Sequence, residues 1–415
     1  MSAHTILPPG NSGTLLRLPS LKAFLFSRSL AALASQMMAV AVGWQIYALT
    51  HSIRALGFVG LAQFAPMLFL VFIAGHFADR HDRRKIVMVC QALECTALVI
   101  VALGSAEGWI RPWMLYALVA IFGALRTFEM PCQQTFVAAI APPALLPRAT
   151  ALSSSLFTAA SVIGPSLGGV LYGLGPTACY AICAVSFGLA CAGTVTMKLS
   201  WPTRVRNPVS LASVFGGVTY LRRRPDTLGA ISLDLFAVLL GGATAMLPVY
   251  ANDILRTGPL GLGLLRAAPA IGALLTSTAV ARWPLRGRCG PLMFLSVAIF
   301  GVATIVFGLS TTVWISVLAL MVLGAADVIS VMVRGALVQL GTPDEMRGRV
   351  SAVNTLFIGS SNQLGELESG LLGSAIGPEA AVVIGGIGTI LVAGIWVRLF
   401  PGLWRLDRLE DIEAH

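Results

Sequence analysis

Nine ionisable side chains stand in this sequence where ionisable side chains are rarely tolerated. Glu94, Arg126, Glu129, Asp234, Arg266, Asp327, Arg334, Glu366 and Glu368 each lie inside a long apolar stretch. If those stretches cross a bilayer, each such group costs about 2.5–3.5 kcal/mol on insertion scales. Groups under that penalty mark ion or substrate paths, proton relays or mutually satisfied ion pairs. Burial favours the neutral form of a carboxylic acid, and a nearby guanidinium favours its ionised form. The acids therefore suit proton exchange or a cationic ligand, and the arginines suit an anionic one. Buried ion pairs that merely hold the structure together are the competing reading.

Spacing narrows the choice. Arg126 and Glu129 are three residues apart, on one face of a helix, and can pair. Asp327 and Arg334 are seven apart and also share a face. Glu366 and Glu368 are two apart, roughly 200° around a helix, so they point different ways. Asp234 has no charged neighbour on its own stretch and reads as the foremost proton-coupling acid, followed by Glu129 and Asp327. For Arg334, near the cytoplasmic end of its helix, the ion-pair reading is at least as strong as the functional one. Glu94 reads as a hydrogen-bonding acid on a packing face.

The elements that must position these groups are long helices. Of 415 residues, 56% are hydrophobic and 11% charged, with mean hydropathy +0.83; a soluble domain carries roughly 25% charged residues. Twelve apolar blocks are close to the ~20 residues a spanning helix needs. They fall near 21–48, 55–78, 84–104, 112–138, 148–173, 177–198, 227–252, 259–282, 290–309, 313–338, 351–374 and 379–400. Their apolar residues do not alternate with period two, which excludes a porin-like barrel. The segment "NQLGELESG" (362–370) is too polar for lipid and must face protein or water.

Net charge is +10, but the basic residues do not form a nucleic-acid patch. They fill short loops on alternate sides of the blocks, the positive-inside pattern. With both termini cytoplasmic, Arg54, Arg111 and Arg256 lie outside and Arg126, Arg266 and Arg334 within the membrane. All the other Lys and Arg residues lie at or near the cytoplasm. Residues 1–20 carry no cleavable signal pattern, and the first helix serves as the targeting signal. None of the seven cysteines forms a CxxC pair, so packing thiols are favoured over metal ligands or disulfides.

The chain divides into a tail (1–20), a six-helix half (21–198), a basic cytoplasmic loop (199–226), a second half (227–400) and a tail (401–415). A surface amphipathic helix fits 208–221. The halves repeat. A shift of 203 residues brings Ala65–Pro66 onto Ala268–Pro269, Gln63 onto Arg266 and Arg83 onto Arg286. A shift of 201 brings Gly123, Gly164 and Gly169 onto Gly324, Gly365 and Gly370. The same shift sets Arg126 against Asp327, Gln133 against Arg334 and Pro165 against Glu366.

Between the second and third blocks runs "GHFADRHDRRK". Gly75, Asp79, Arg80, Arg83 and Arg84 match the loop signature G-x-L-A-D-R-x-G-R-R/K of the major facilitator superfamily, with Phe77 in place of Leu and Asp82 in place of Gly. The second-half equivalent, "ARWPLRGRCG", keeps Arg282, Arg286 and Arg288 but no acid. With "WQIYALT", "VIGPSLGG" and "LLRAAPAIGALL", the chain most resembles the efflux branch that includes the enterobactin exporter (the transmembrane secretion effectors).

The resemblance implies an all-α major facilitator fold of twelve transmembrane helices in two pseudo-symmetric halves. It implies that helices 1, 4, 7 and 10 line a central cavity, bringing in Arg126, Glu129, Asp234, Asp327 and Arg334. It also implies that Asp79 meets the start of helix 11 near Val350 and latches the cytoplasmic side, with Arg83 as partner. Gly164, Pro165, Gly168 and Gly169 resemble the helix 5 signature of antiporters. Small residues there allow close helix approach. Trp44, Tyr47, Phe64, Phe128 and Phe157 are available to an aromatic cargo, or to the core.

The expected function is proton-coupled export of a small amphipathic molecule, a siderophore or drug, across a bacterial inner membrane by a monomer without cofactor. A proton-coupled importer is the alternative, since a fold does not fix direction. An ATP-driven pump is disfavoured, because no Gly-Lys dipeptide and so no P-loop exists. Asp79→Asn is expected to cut transport while leaving the protein in the membrane, read by transport assay and membrane immunoblot; a normal rate would remove the latch.

Overall fold

Prolines and short polar residues set the helix starts. Pro19, Pro112, Pro176, Pro225 and Pro378 each open a helix, where a missing N–H is not needed. The Ser52 hydroxyl accepts the Ala55 N–H at 3.4 Å, and the Asp82 carboxylate accepts the Arg84 N–H at 2.9 Å, capping the two helices that flank the loop-signature segment. Gly175 and Gly377 sit at φ of +130° and +92° just before Pro176 and Pro378. These matching Gly-Pro turns lie 202 residues apart and extend the internal repeat.

The computed structural model describes residues 18–198, 216, 219–283 and 287–406. Its long helices are α1 (Pro19–Thr50), α2 (Ile53–Arg80), α3 (Arg83–Ala106), α4 (Pro112–Ile140), α5 (Leu146–Gly173), α6 (Pro176–Thr196), α7 (Pro225–Gly241), α8 (Gly258–Arg282), α9 (Cys289–Leu309), α10 (Val313–Leu340), α11 (Asp344–Ile376) and α12 (Pro378–Leu399). The proposed 208–221 helix lies largely outside the described residues. Eleven of the helices, with α7 running on to Ile254, are long and apolar enough to cross a membrane. The twelfth expected span is the exception. α11 has 33 residues but is too polar in composition. It packs against α2, α7 and α12, so its polar side chains have protein beside them.

α7 is broken. After Gly242 the chain passes through a 3₁₀ segment (Ala243–Met246), one short turn (Leu247–Val249) and a π turn (Tyr250–Ile254). Such breaks are tolerated where neighbours satisfy the freed backbone. Here the Ser369 hydroxyl of α11 donates to the Gly242 carbonyl at 2.9 Å.

Within the first six helices α1 packs on α5 and α6, α2 on α4, and α3 on α6; in the last six α8 and α9 pack on α10, and α9 on α12. Glycines carry the tightest crossings. A Cβ at Gly123 would strike the Gln63 carbonyl of α2, and one at Gly324 the Pro269 carbonyl of α8. The two sets of six meet through α2 on α11 and α5 on α8. The named contacts between them lie toward one end, beyond Gly43 on α1, around Gly57 on α2 and Gly169 on α5. This is the end opposite Arg80 and Arg84; it is termed the closed end, and the other the basic end.

Gly272→Val would drive a side chain into the Met321 backbone of α10, whereas Gly335 has nothing within 4 Å of a Cβ. Gly272→Val is expected to abolish recovery of monodisperse protein from membranes, and Gly335→Ala to leave it unchanged, as read by size-exclusion chromatography.

Candidate functional site

The closed end is built from two backbone-to-backbone contacts. A Cβ on Gly57 would lie 3.0 Å from the Gly370 Cα, and one on Gly169 would lie 3.1 Å from the Gly263 Cα. The α5 signature serves both directions at once. Gly164 and Gly168 face Gln36 and Met37 of α1, while Pro165 and Gly169 face Gly263 of α8. Polar bonds join the same surfaces. The Tyr47 hydroxyl donates to Asp253 on the π turn, and Arg54 Nε donates to the Ser374 hydroxyl at 2.9 Å.

Just inside this seal lies a charged layer at the junction of the two sets. Arg266 of α8 reaches toward α1, with a guanidinium nitrogen 3.5 Å from a Cβ placed on Gly43. Glu366 of α11 lies against α2, where a Cβ on Gly60 would be 2.9 Å from its carboxylate. Arg266 and Glu366 are within Coulombic reach of each other. Glycine at 43 and 60 leaves room for charges that come from the opposite set. Arg266 Nε and Gln363 Oε1 are buried without a hydrogen-bond partner. Glu368 points elsewhere, as expected, and accepts from the Ser369 hydroxyl at 3.4 Å.

The last six helices hold a second charged set. Arg334 of α10 forms an ion pair with Asp234 of α7, both almost fully buried. Asp234, without a charged neighbour on its own stretch, takes its partner from a helix 100 positions on. The pair lies within one set and does not tie the two together. Arg334 thus turns to Asp234 rather than to Asp327 on its own helix. Asp327 lines a small cavity with Asp234, Ser296 and Ser330.

The first six helices hold a third set. Glu129 of α4 is buried, and its Oε1 accepts from Gln133 Nε2 at 2.7 Å and Gln91 Nε2 at 3.1 Å. Arg126 lies within Coulombic reach of Glu129 and of Glu94 on α3. Glu94 is wholly buried, and among the described residues neither carboxylate oxygen has a hydrogen-bond partner. That corrects its expected role as a hydrogen-bonding acid. Each of these two groups combines two acids and one arginine: Glu94, Glu129, Asp234 and Arg334 are buried, and Arg126 and Asp327 are half-buried.

Other expected residues scatter. Arg83 Nε donates to the Ala78 carbonyl at 3.2 Å, and Arg84 donates to the Met197 carbonyl at 2.6 Å, tying the loop to the end of α6. Arg80 is exposed, Gly75 lies on the last turns of α2, and the Asp79 side chain lies outside the described part. Phe64 and Tyr47 are buried, and Phe128 stacks edge-on with Phe77. Arg28 was missed because it sits near a helix start. Its guanidinium lies 5.6 Å from the Phe157 ring and donates to Ser153 at 2.9 Å, joining α1 to α5. Ser27, Gln91 and Thr194 were also missed; their uncharged polar types carry no signal in an apolar block.

Comparison with known proteins bears on family and fold. The family described as transmembrane secretion effector matches residues 16–411. The enterobactin exporter EntS of Citrobacter koseri is 27% identical over 394 residues, spanning 90% of this chain and 89% of that one. EntS of Shigella boydii is 25% identical over the same shares. Among solved structures, a bacterial homologue of the human lysosomal transporter Spinster, inward-facing and occupied, superposes with a TM-score of 0.73 at 14% identity, covering 92% of this chain and 97% of that one. An inward-facing bacterial homologue of the iron transporter ferroportin gives 0.72 at 15%, covering 93% and 99%. At these identities the solved structures bear on the fold alone.

Breaking a buried pair from one side costs about 3–5 kcal/mol, because it strands the remaining charge. Arg334→Met is expected to lose stability on that scale in detergent unfolding. Adding Asp234→Asn should recover most of it; a double variant as unstable as the single one would contradict the pairing.

Proposed function

Because the chain belongs to the transmembrane secretion effector family, we propose that this multi-pass inner-membrane transporter exports a small amphipathic molecule by proton antiport and alternating access. A catecholate siderophore is the proposed cargo class. The relatives at 25–27% identity are enterobactin exporters over nine-tenths of the chain.

The observation that carries the reading is the position of Arg266. It lies where the two sets of helices meet, just inside the closed end, with one buried nitrogen unpartnered. A cationic side chain in that place suits the oxyanions of a catecholate. Glu366 lies within its reach, so an anionic cargo would compete with an internal carboxylate. Competition of this kind lets the cargo be released once the carboxylate regains the arginine.

Orientation in the membrane follows from charge, and export from the relatives. The positive-inside pattern places the basic end in the cytoplasm. The seal made by Gly57–Gly370, Gly169–Gly263 and Tyr47–Asp253 then lies on the outer side. In this arrangement the transporter faces inward, ready to take cargo from the cell. Export requires the seal to part and the cytoplasmic side to close. Buried acids in each set supply groups whose protonation differs between the two arrangements.

Everted membrane vesicles loaded by an imposed proton gradient test the proposal with labelled enterobactin and a cationic drug. Gradient-dependent enterobactin uptake, lost with uncoupler and lost in Arg266→Gln, is expected. Uptake indifferent to uncoupler would reject antiport, and a preference for the cationic drug would reject the siderophore assignment.

A further inference from the structure

The acid set of the first six helices does more than fill a core. Glu94 lies on the stripe of α3 formed by Ile86, Val87, Cys90, Gln91, Leu98 and Val101, all buried. One turn before it, Gln91 is locked. Its Nε2 donates to the Ser27 hydroxyl at 3.2 Å, and its Oε1 accepts from the Thr194 hydroxyl at 2.9 Å. Ser27 and Thr194 are themselves 2.9 Å apart, which closes a ring of three hydrogen bonds through α1, α3 and α6. The two hydroxyls can close the ring in either direction, and the Glu129 carboxylate decides it by turning the amide nitrogen of Gln91 toward itself. The remaining Gln91 N–H is thereby aimed at Glu129 Oε1, 3.1 Å away.

Glu129 receives a second amide donor from Gln133 at 2.7 Å, and Arg126 lies within Coulombic reach. An oxygen that accepts two N–H bonds beside a guanidinium is set up as a carboxylate. Glu94 has the opposite surroundings. Among the described residues no donor reaches either of its oxygens, and the charged or titratable groups acting on it include Glu129, Arg126 and Cys90. Glu129 and Arg126 already balance each other. Ionised Glu94 would be a second negative charge in a dry layer with no hydrogen bond to hold it. Two close carboxylates in such a site share one proton.

We propose that Glu94 is the proton-binding residue of the first six helices, holding a proton in the inward-facing arrangement while Glu129 stays ionised. It rests on the antiport reading and deepens it: the proton site is separate from the Arg266 cargo site and lies wholly within one set of helices. The step is a proton transfer only. Glu94 changes from carboxylic acid to carboxylate, and the proton passes by way of Glu129, whose partner Gln133 is half-buried. A different arrangement of α3 against α4 would bring Arg126 or Gln91 to Glu94 and release it.

Infrared difference spectroscopy on the full-length purified protein tests the protonation without any cargo. The carbonyl stretch of a buried carboxylic acid is expected at neutral pH, absent in Glu94→Gln, retained in Glu129→Gln and displaced in Glu94→Asp. A band untouched by either Glu94 substitution would overturn the assignment, and Glu94→Asp decides the matter if Glu94→Gln does not fold. Everted vesicles with labelled enterobactin test the coupling: Glu94→Gln should lose gradient-driven uptake yet keep gradient-free exchange. Wild-type gradient-driven uptake that survives in Glu94→Gln overturns this site alone. Wild-type uptake indifferent to the gradient overturns the antiport reading and the coupling role with it.

Discussion

The structure depends on how closely two sets of helices can approach at one end without a side chain between them. Gly57 meets Gly370, and Gly169 meets Gly263, at distances that leave no space for a Cβ. In a membrane, helix association rests on such packing and on interhelical polar contacts, because lipid and apolar side chain are equally greasy. Bare backbone surfaces also leave little to unmesh, so a seal of this kind can part and re-form. Tyr47–Asp253 and Arg54–Ser374 add direction to the contact without filling it with bulk. The reading of access follows from this seal lying, among the described residues, at the end opposite Arg80 and Arg84.

Charge is distributed so that the seal does not need to hold it. Each set of helices groups two acids and one arginine away from the seal, Glu94, Glu129 and half-buried Arg126 in one and Asp234, half-buried Asp327 and Arg334 in the other. The Asp234–Arg334 pair can therefore travel with its own set unbroken. Among the nine charges inside the apolar stretches, Arg266 and Glu366 are described at the junction, each beside a glycine of the opposite set. The two sets also differ in how the arginine is used. Arg334 makes a direct ion pair. Glu129 is held by two glutamines as well as by the field of Arg126, which leaves Glu94 to the proton.

The sequence discloses helices, repeat and loop signature well, because each is a local pattern. Apolar length is visible in any block, and Gly123, Gly169 and their counterparts fall at a constant offset. α11 is the instructive case: its polarity is plain in "NQLGELESG", and the structure places α2, α7 and α12 beside it. Partnerships between helices are not local and could not be read. Asp234 looks alone because Arg334 lies 100 residues away. Glu94 looks like an ordinary packing acid because nothing in its own helix says that donors will be missing. The Gln91 ring is built from Ser, Thr and Gln, residues that are common in membrane helices for many reasons.

The central claim is that the closed end opens in a second arrangement of the same two sets. Spin labels at His51 and Ile376, both exposed at that end, measure it directly on a background in which the seven native cysteines are replaced. The account predicts two distance populations, the shorter one dominant at rest and their ratio shifting with pH and with enterobactin. A single short distance, unmoved by either, would contradict it.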